Sequence, residues 1–135
     1  MKQVMRVALF SCAFFWSTLV FAKFISVSDI DGTWVGQEDR GNCVFPATAK
    51  FVSLGNIVTG IVQNVSSWYS ETCEPIGYSE DVLHEGFLRE DSSSIIFPME
   101  GSIIEFFLSE DRKELKGTVF SSGKLYSKYV LEREK

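Results

Sequence analysis

The sequence predicts an all-β fold, a small antiparallel up-and-down barrel or meander of about eight strands that follows an export signal. Three observations carry that prediction. Short β-branched and aromatic runs recur at intervals of about 8–12 residues. Gly-, Asn- or Ser-containing turns separate them, and residues 23–135 hold no apolar stripe of helical period long enough for a confident helix. A two-sheet sandwich is the competing all-β arrangement.

The elements follow in chain order. Lys2 and Arg6 precede an almost unbroken apolar run over residues 7–21, and Val20-Phe21-Ala22 places small residues at −3 and −1 of a cut after Ala22. This is the layout of a secretory signal peptide. It divides the chain into a signal at 1–22 and one domain at 23–135, and it points to a periplasmic or secreted product. Ser11, Ser17 and Thr18 interrupt the run, which suits a signal core better than an anchor, so no stable membrane anchor is expected after cleavage. The short basic and apolar regions suit a bacterial signal at least as well as a eukaryotic one. Asn64-Val65-Ser66 is a glycosylation sequon that matters only in a eukaryotic host.

Downstream, Asp29-Ile30-Asp31-Gly32 reads as a turn into a first strand at Thr33-Trp34-Val35. Residues 47–54 alternate, with Ala47, Ala49 and Phe51 on one face, and Gly55-Asn56 turns the chain into 57–63 as a hairpin. Residues 64–80 are the least regular piece and read as a long loop. Further strands are expected at 82–89, 95–99, 102–108, 115–120 and 124–133. Pro98 marks an edge or an end, because proline has no N–H to give a ladder. Asp91-Ser92-Ser93-Ser94 and Ser121-Ser122-Gly123 supply turns.

Composition excludes some functions. The formal net charge is −5, and loss of Lys2 and Arg6 makes the exported domain two units more negative. With no Lys/Arg run, it lacks the cations that nucleic acid or an anionic membrane requires. Of the three cysteines Cys12 leaves with the signal, so parity and an oxidising compartment pair Cys43 with Cys73. One histidine, His84, and no CxxC argue against zinc; Asp29-Ile30-Asp31-Gly32 lacks the distal ligands of a calcium loop. No metal or cofactor is expected.

Gly32-Thr33-Trp34 at the entry to the first strand resembles the GxW signature of the calycin group, the lipocalins and avidins. In those barrels the first-strand tryptophan closes the floor and a cationic side chain from the last strand lies across its indole. The resemblance therefore implies a contact between Trp34 and Arg133. More weakly, Ser122-Gly123-Lys124-Leu125-Tyr126 is similar to a Ser-Gly-x-x-Tyr pattern of periplasmic inhibitors of C-type lysozyme, in which that loop meets the enzyme's cleft. The aromatic pair and Lys-Gly that complete the inhibitor motif are absent, and an ordinary hairpin turn accounts for the segment equally well.

No catalytic constellation stands out. His84 and Glu85 are strand neighbours that point to opposite faces, and no G-x-S-x-G elbow occurs, so an enzyme is not expected. Strands apolar on both faces, at Ile103-Ile104 and Phe106-Phe107, must cover the second face with a ligand, a partner or a loop. The leading expectation is a non-enzymatic module binding an apolar small ligand or a peptide segment, lined by Phe106, Tyr126, Trp68 and Tyr69. An interaction protein acting through Ser122, Gly123, Lys124 and Tyr126 is the alternative, and a hydrolase comes third.

Overall fold

The computed structural model describes residues 21–135. The expected signal segment lies, through residue 20, outside the described residues. The strands are β1 (Phe21–Ala22), β2 (Gly32–Asp39), β3 (Val44–Leu54), β4 (Ile57–Tyr69), β5 (Glu74–Leu88), β6 (Ile95–Met99), β7 (Ser102–Ser109), β8 (Glu114–Ser121) and β9 (Lys124–Arg133). From β2 to β9 each strand pairs antiparallel with the next, and β2 pairs with β9 from Trp34↔Arg133 to Asp39↔Lys128. The eight strands thus close an up-and-down barrel, which rules out the sandwich. The two residues of β1 continue the line of β6 along β7, at Phe21↔Ser109 and Ala22↔Leu108.

Alternation decides the interior. Phe45, Ala47, Ala49 and Phe51 of β3 are buried while their neighbours Val44, Pro46, Lys50 and Val52 are exposed. Phe51, Phe97 and Phe106 meet at the centre, with centroids 5.3 to 5.9 Å apart. Each ring lies over a glycine on an adjacent strand: Phe51 over Gly60, Phe97 over Gly86 and Phe106 over Gly117. A Cβ on Gly60 or Gly117 would stand 2.6 or 2.7 Å from a ring carbon. The glycines make room for three large rings in a narrow barrel, and the rings cover backbone that glycine leaves bare.

One end is plugged. A 3-10 turn, Val27–Ile30, crosses beneath the barrel with Val27 and Ile30 buried, capped by Ser26, whose Oγ accepts from Ser28 N at 3.3 Å. The stretch 29–32, expected as a turn, is the end of this cap. Trp34 Nε1 donates to Ile30 O at 2.9 Å. The Arg133 guanidinium lies 4.2 Å from the Trp34 ring centroid and donates to the carbonyls of Asp31 (2.8 Å) and Asp29 (2.9 Å). The contact implied by the calycin resemblance is present, and it also fastens the plug.

Residues 64–80 are not a loop. β4 runs on through Tyr69 and β5 starts at Glu74, giving a long hairpin. Register shifts between Val65 and Ser67 and between Ser67 and Trp68 break its period-2 pattern, which hid the strands from the sequence. The Cys43–Cys73 disulfide ties this hairpin to the β2–β3 turn, with Phe45, Val65 and Trp68 packed beside it.

Candidate functional site at the open end

The end opposite the plug is ringed by the β2–β3, β4–β5, β6–β7 and β8–β9 turns. The same strands that bury apolar side chains below present polar ones here. β2 buries Trp34 and then, in phase, Glu38; β4 buries Val58 and Val62 and then Asn64; β9 buries Leu131 and Tyr129 and then Ser127. A cavity of about 340 Å³ opens among them, lined by Glu38, Arg40, Asn64, Ser79, Asp81 and Tyr129, with Tyr126, Met99 and Ile104 on its other side.

Two connected groups organise it. Asn64 Nδ2 donates to the Tyr129 hydroxyl at 3.0 Å and Asn64 Oδ1 accepts from Ser79 at 2.9 Å. That leaves the Tyr129 O–H as a donor. Burial and the charge of Glu38 push the Tyr129 pKa well above its ordinary value, so the phenol stays neutral. Asn64 is 6% exposed and bonded at both ends of its amide, so a glycan at this sequon is incompatible with the folded barrel.

The second group surrounds Arg40. Its Nη2 donates to Glu38 Oε1 at 2.8 Å, with both side chains almost wholly buried. Three rings stand around the guanidinium, Trp68 at 4.9 Å, Phe45 at 5.6 Å and Tyr126 at 5.8 Å from their centroids. Burial opposes the charge on Arg40, but the hydrogen bond and charge of Glu38 outweigh it and the pKa rises. Arg40 Nε is buried with no hydrogen-bond partner, in a side chain that lines the cavity.

The residues singled out from the sequence separate into three places. Trp68 and Tyr126 come together over Arg40. Phe106 lies below, in the packed aromatic core, where its ring meets Tyr129 at 6.3 Å. Tyr69 is more than half exposed at the end of β4. Ser122 and Gly123 form the two-residue β8–β9 turn, with positive φ at both (53° and 80°), and Ser122 N donates to Gly101 O at 3.0 Å. Lys124 stands exposed beside them, opposite Ser121. His84 is exposed on β5. Glu38, Arg40, Ser79 and Tyr129 escaped the sequence reading, which met Asn64 only as a sequon and Asp81 only as one of a run of acidic residues that could face a basic partner or hold a weakly bound cation. A signal for the mouth was there, since Glu38, Asn64, Asp81 and Tyr129 stand in phase with buried neighbours.

Among the described residues no three His, Cys, Asp or Glu side chains are grouped to hold a metal ion, and no helix is long and apolar enough to cross a membrane. No family model matches the chain, and no curated protein matches it. A solved structure of a redesigned beta barrel is similar at 15% identity, over 80% of this chain and 94% of that one, with a TM-score of 0.47. It is a distant barrel neighbour.

Proposed function

We propose that the chain is an exported, non-enzymatic binding module of calycin-like build whose open end takes a polar group of a small ligand or peptide segment. The observation that carries this is the cavity of about 340 Å³ at the barrel mouth. It is within the range of ligand sites, about 300–1,000 Å³. The aromatic core fills the barrel below it, so the space left for a ligand is the polar mouth, and an apolar ligand loses its main support. Arg40 and the Tyr129 hydroxyl supply donors in its lining, and Glu38 and Asp81 supply acceptors. The disulfide and the apolar leader support export to a periplasmic or extracellular space.

Native mass spectrometry of protein purified from its own host compartment tests this. The expected result is a chain beginning at Lys23, with one disulfide and a retained ligand whose release shifts the NMR signals of Asn64 and Tyr129. A ligand-free protein whose mouth signals respond to no polar compound overturns the reading.

The inhibitor reading keeps one observation in its favour. The Ser122–Gly123 turn is fully presented at the same open end, and Tyr126 stands exposed beside it. Inhibition of a C-type lysozyme that is lost in Ser122→Ala and Tyr126→Ala supports that reading, and absence of inhibition by the unaltered protein disposes of it.

A further inference from the structure

The barrel is sealed unevenly. β5 pairs with β4 from Glu74 to Gly86, but with β6 only at Phe87↔Ile96 and Leu88↔Ile95. The ladder stops for a local reason. Glu85 takes a left-handed conformation (φ 54°), which turns β5 aside, and two residues beyond Ile96, its last partner for β5, β6 carries Pro98, which has no N–H to donate. Among the described residues no strand pairs with the outer edge of β5 between Glu74 and Gly86. That leaves about a dozen residues of β backbone with one row of donors and acceptors unmatched. The inward side chains along this stretch, Ser79 and Asp81, are the ones that line the mouth cavity, so the gap opens sideways into it.

Charge says what fits. Between Glu74 and Glu85, β5 carries Glu74, Glu80, Asp81 and Glu85 and no lysine or arginine; β6 has no charged residue and is followed by Glu100. Buried Glu38 faces the same cavity but is already paired with Arg40 at 2.8 Å, so Asp81 is the carboxylate of the cavity lining with no basic partner among the described residues. A second copy of this chain docking edge to edge would bring these carboxylates together, which is unfavourable. A cationic segment meets the opposite situation.

We infer that the ligand is an extended peptide segment with lysine or arginine at alternate positions, which adds as a strand to the free edge of β5 and points its cationic side chains towards Asp81. This rests on the mouth being a binding site and names its occupant. Main-chain hydrogen bonds supply the affinity, and every second side chain reaches the cavity while its neighbours face solvent. The partner is therefore a basic, locally unfolded stretch of another protein.

The test uses the mature protein and a ten-residue peptide alternating lysine and threonine. Two further versions are N-methylated on one or the other alternate set of amides, so that each blocks one edge of the peptide. Binding is read by amide exchange and chemical shifts. The inference expects protection of amides between Pro75 and Glu85, loss of binding of at least about tenfold in one N-methylated form, and about fivefold weakening in Asp81→Asn, the worth of an exposed charge pair. Asp81 is exposed, so its replacement leaves folding intact. Equal binding by both N-methylated peptides, with shifts at Tyr129, means side-chain capture without strand addition; it overturns the inference and leaves the mouth site standing. Concentration-dependent protection of β5 without peptide makes a second copy the occupant and also overturns it. No shift at the mouth with any of the peptides, in a protein that also carries no native ligand, removes both readings.

Discussion

The two ends of this barrel are built by the same eight strands and do opposite things. At the plugged end the polar groups are tied to one another, Asp31 Oδ1 alone being buried without a partner there. Trp34 bonds to Ile30, Arg133 to Asp29 and Asp31, and Arg112 to Asp29 Oδ2 and Lys23 O. At the open end polar groups are buried with capacity to spare: Arg40 Nε and Ser127 Oγ have no partner, and the Tyr129 O–H is free to donate. Buried polar groups left short of partners cost stability, and two of the three such atoms among the described residues lie at the open end, the end proposed to bind. The disulfide sits at that end too, beside a small separate cluster of Phe45, Val65 and Trp68.

The comparison can be broken from either side. Trp34→Ala should remove the largest share of stability, about 3–5 kcal/mol as for other buried tryptophans, seen as a fall in the urea midpoint. A loss below about 1 kcal/mol would mean that the plug is not what holds the closed end. Replacing both Cys43 and Cys73 by serine should cost about 3–4 kcal/mol, from the loop of 30 residues that the bridge closes. Amide exchange should then rise in the β4–β5 hairpin and change little around Trp34. Uniform loosening of both ends would refute the independence argued here.

Tyr129 sharpens the contrast through pH. Its folded pKa is raised by burial and by Glu38, so between the unfolded value of about 10 and the folded one the native state holds a proton that the unfolded chain has lost. Stability is therefore intact below about pH 10 and declines as pH rises beyond it. Tyr129→Phe should flatten this alkaline slope in urea midpoints taken from neutral to alkaline pH. The smallest stability effect belongs to Tyr126→Ala, within about 0.5 kcal/mol because the side chain is half exposed. Ligand or peptide affinity should nevertheless fall, since one wall of the Arg40 enclosure disappears; unchanged affinity would place the binding surface elsewhere.

Much of the fold was legible before the structure. Residues 95–99 and 124–133 were readable as strands to the residue, because turn chemistry bounds them and alternation runs through them. The Trp34–Arg133 contact came from the calycin resemblance alone. The β4–β5 hairpin was illegible because bulges at Val65 and Ser67 destroy the period on which strand reading depends. The site was read from aromatic residues, of which Trp68 and Tyr126 stand beside Arg40 at the mouth while Phe106 belongs to the packed core. The better signal was a polar residue in phase with buried ones, such as Glu38 four residues after Trp34.

The three phenylalanine–glycine pairs carry a consequence for how this sequence can diverge. Phe51 with Gly60, Phe97 with Gly86 and Phe106 with Gly117 each share one volume between two strands. A methyl group gained on the glycine has to be matched by carbon lost from its own ring, and a smaller ring leaves a void that only a larger partner fills. Each pair is thus inherited as a unit. In related chains these six positions should change two at a time, alanine opposite leucine or valine where glycine opposite phenylalanine stood, while the exposed residues beside them drift singly.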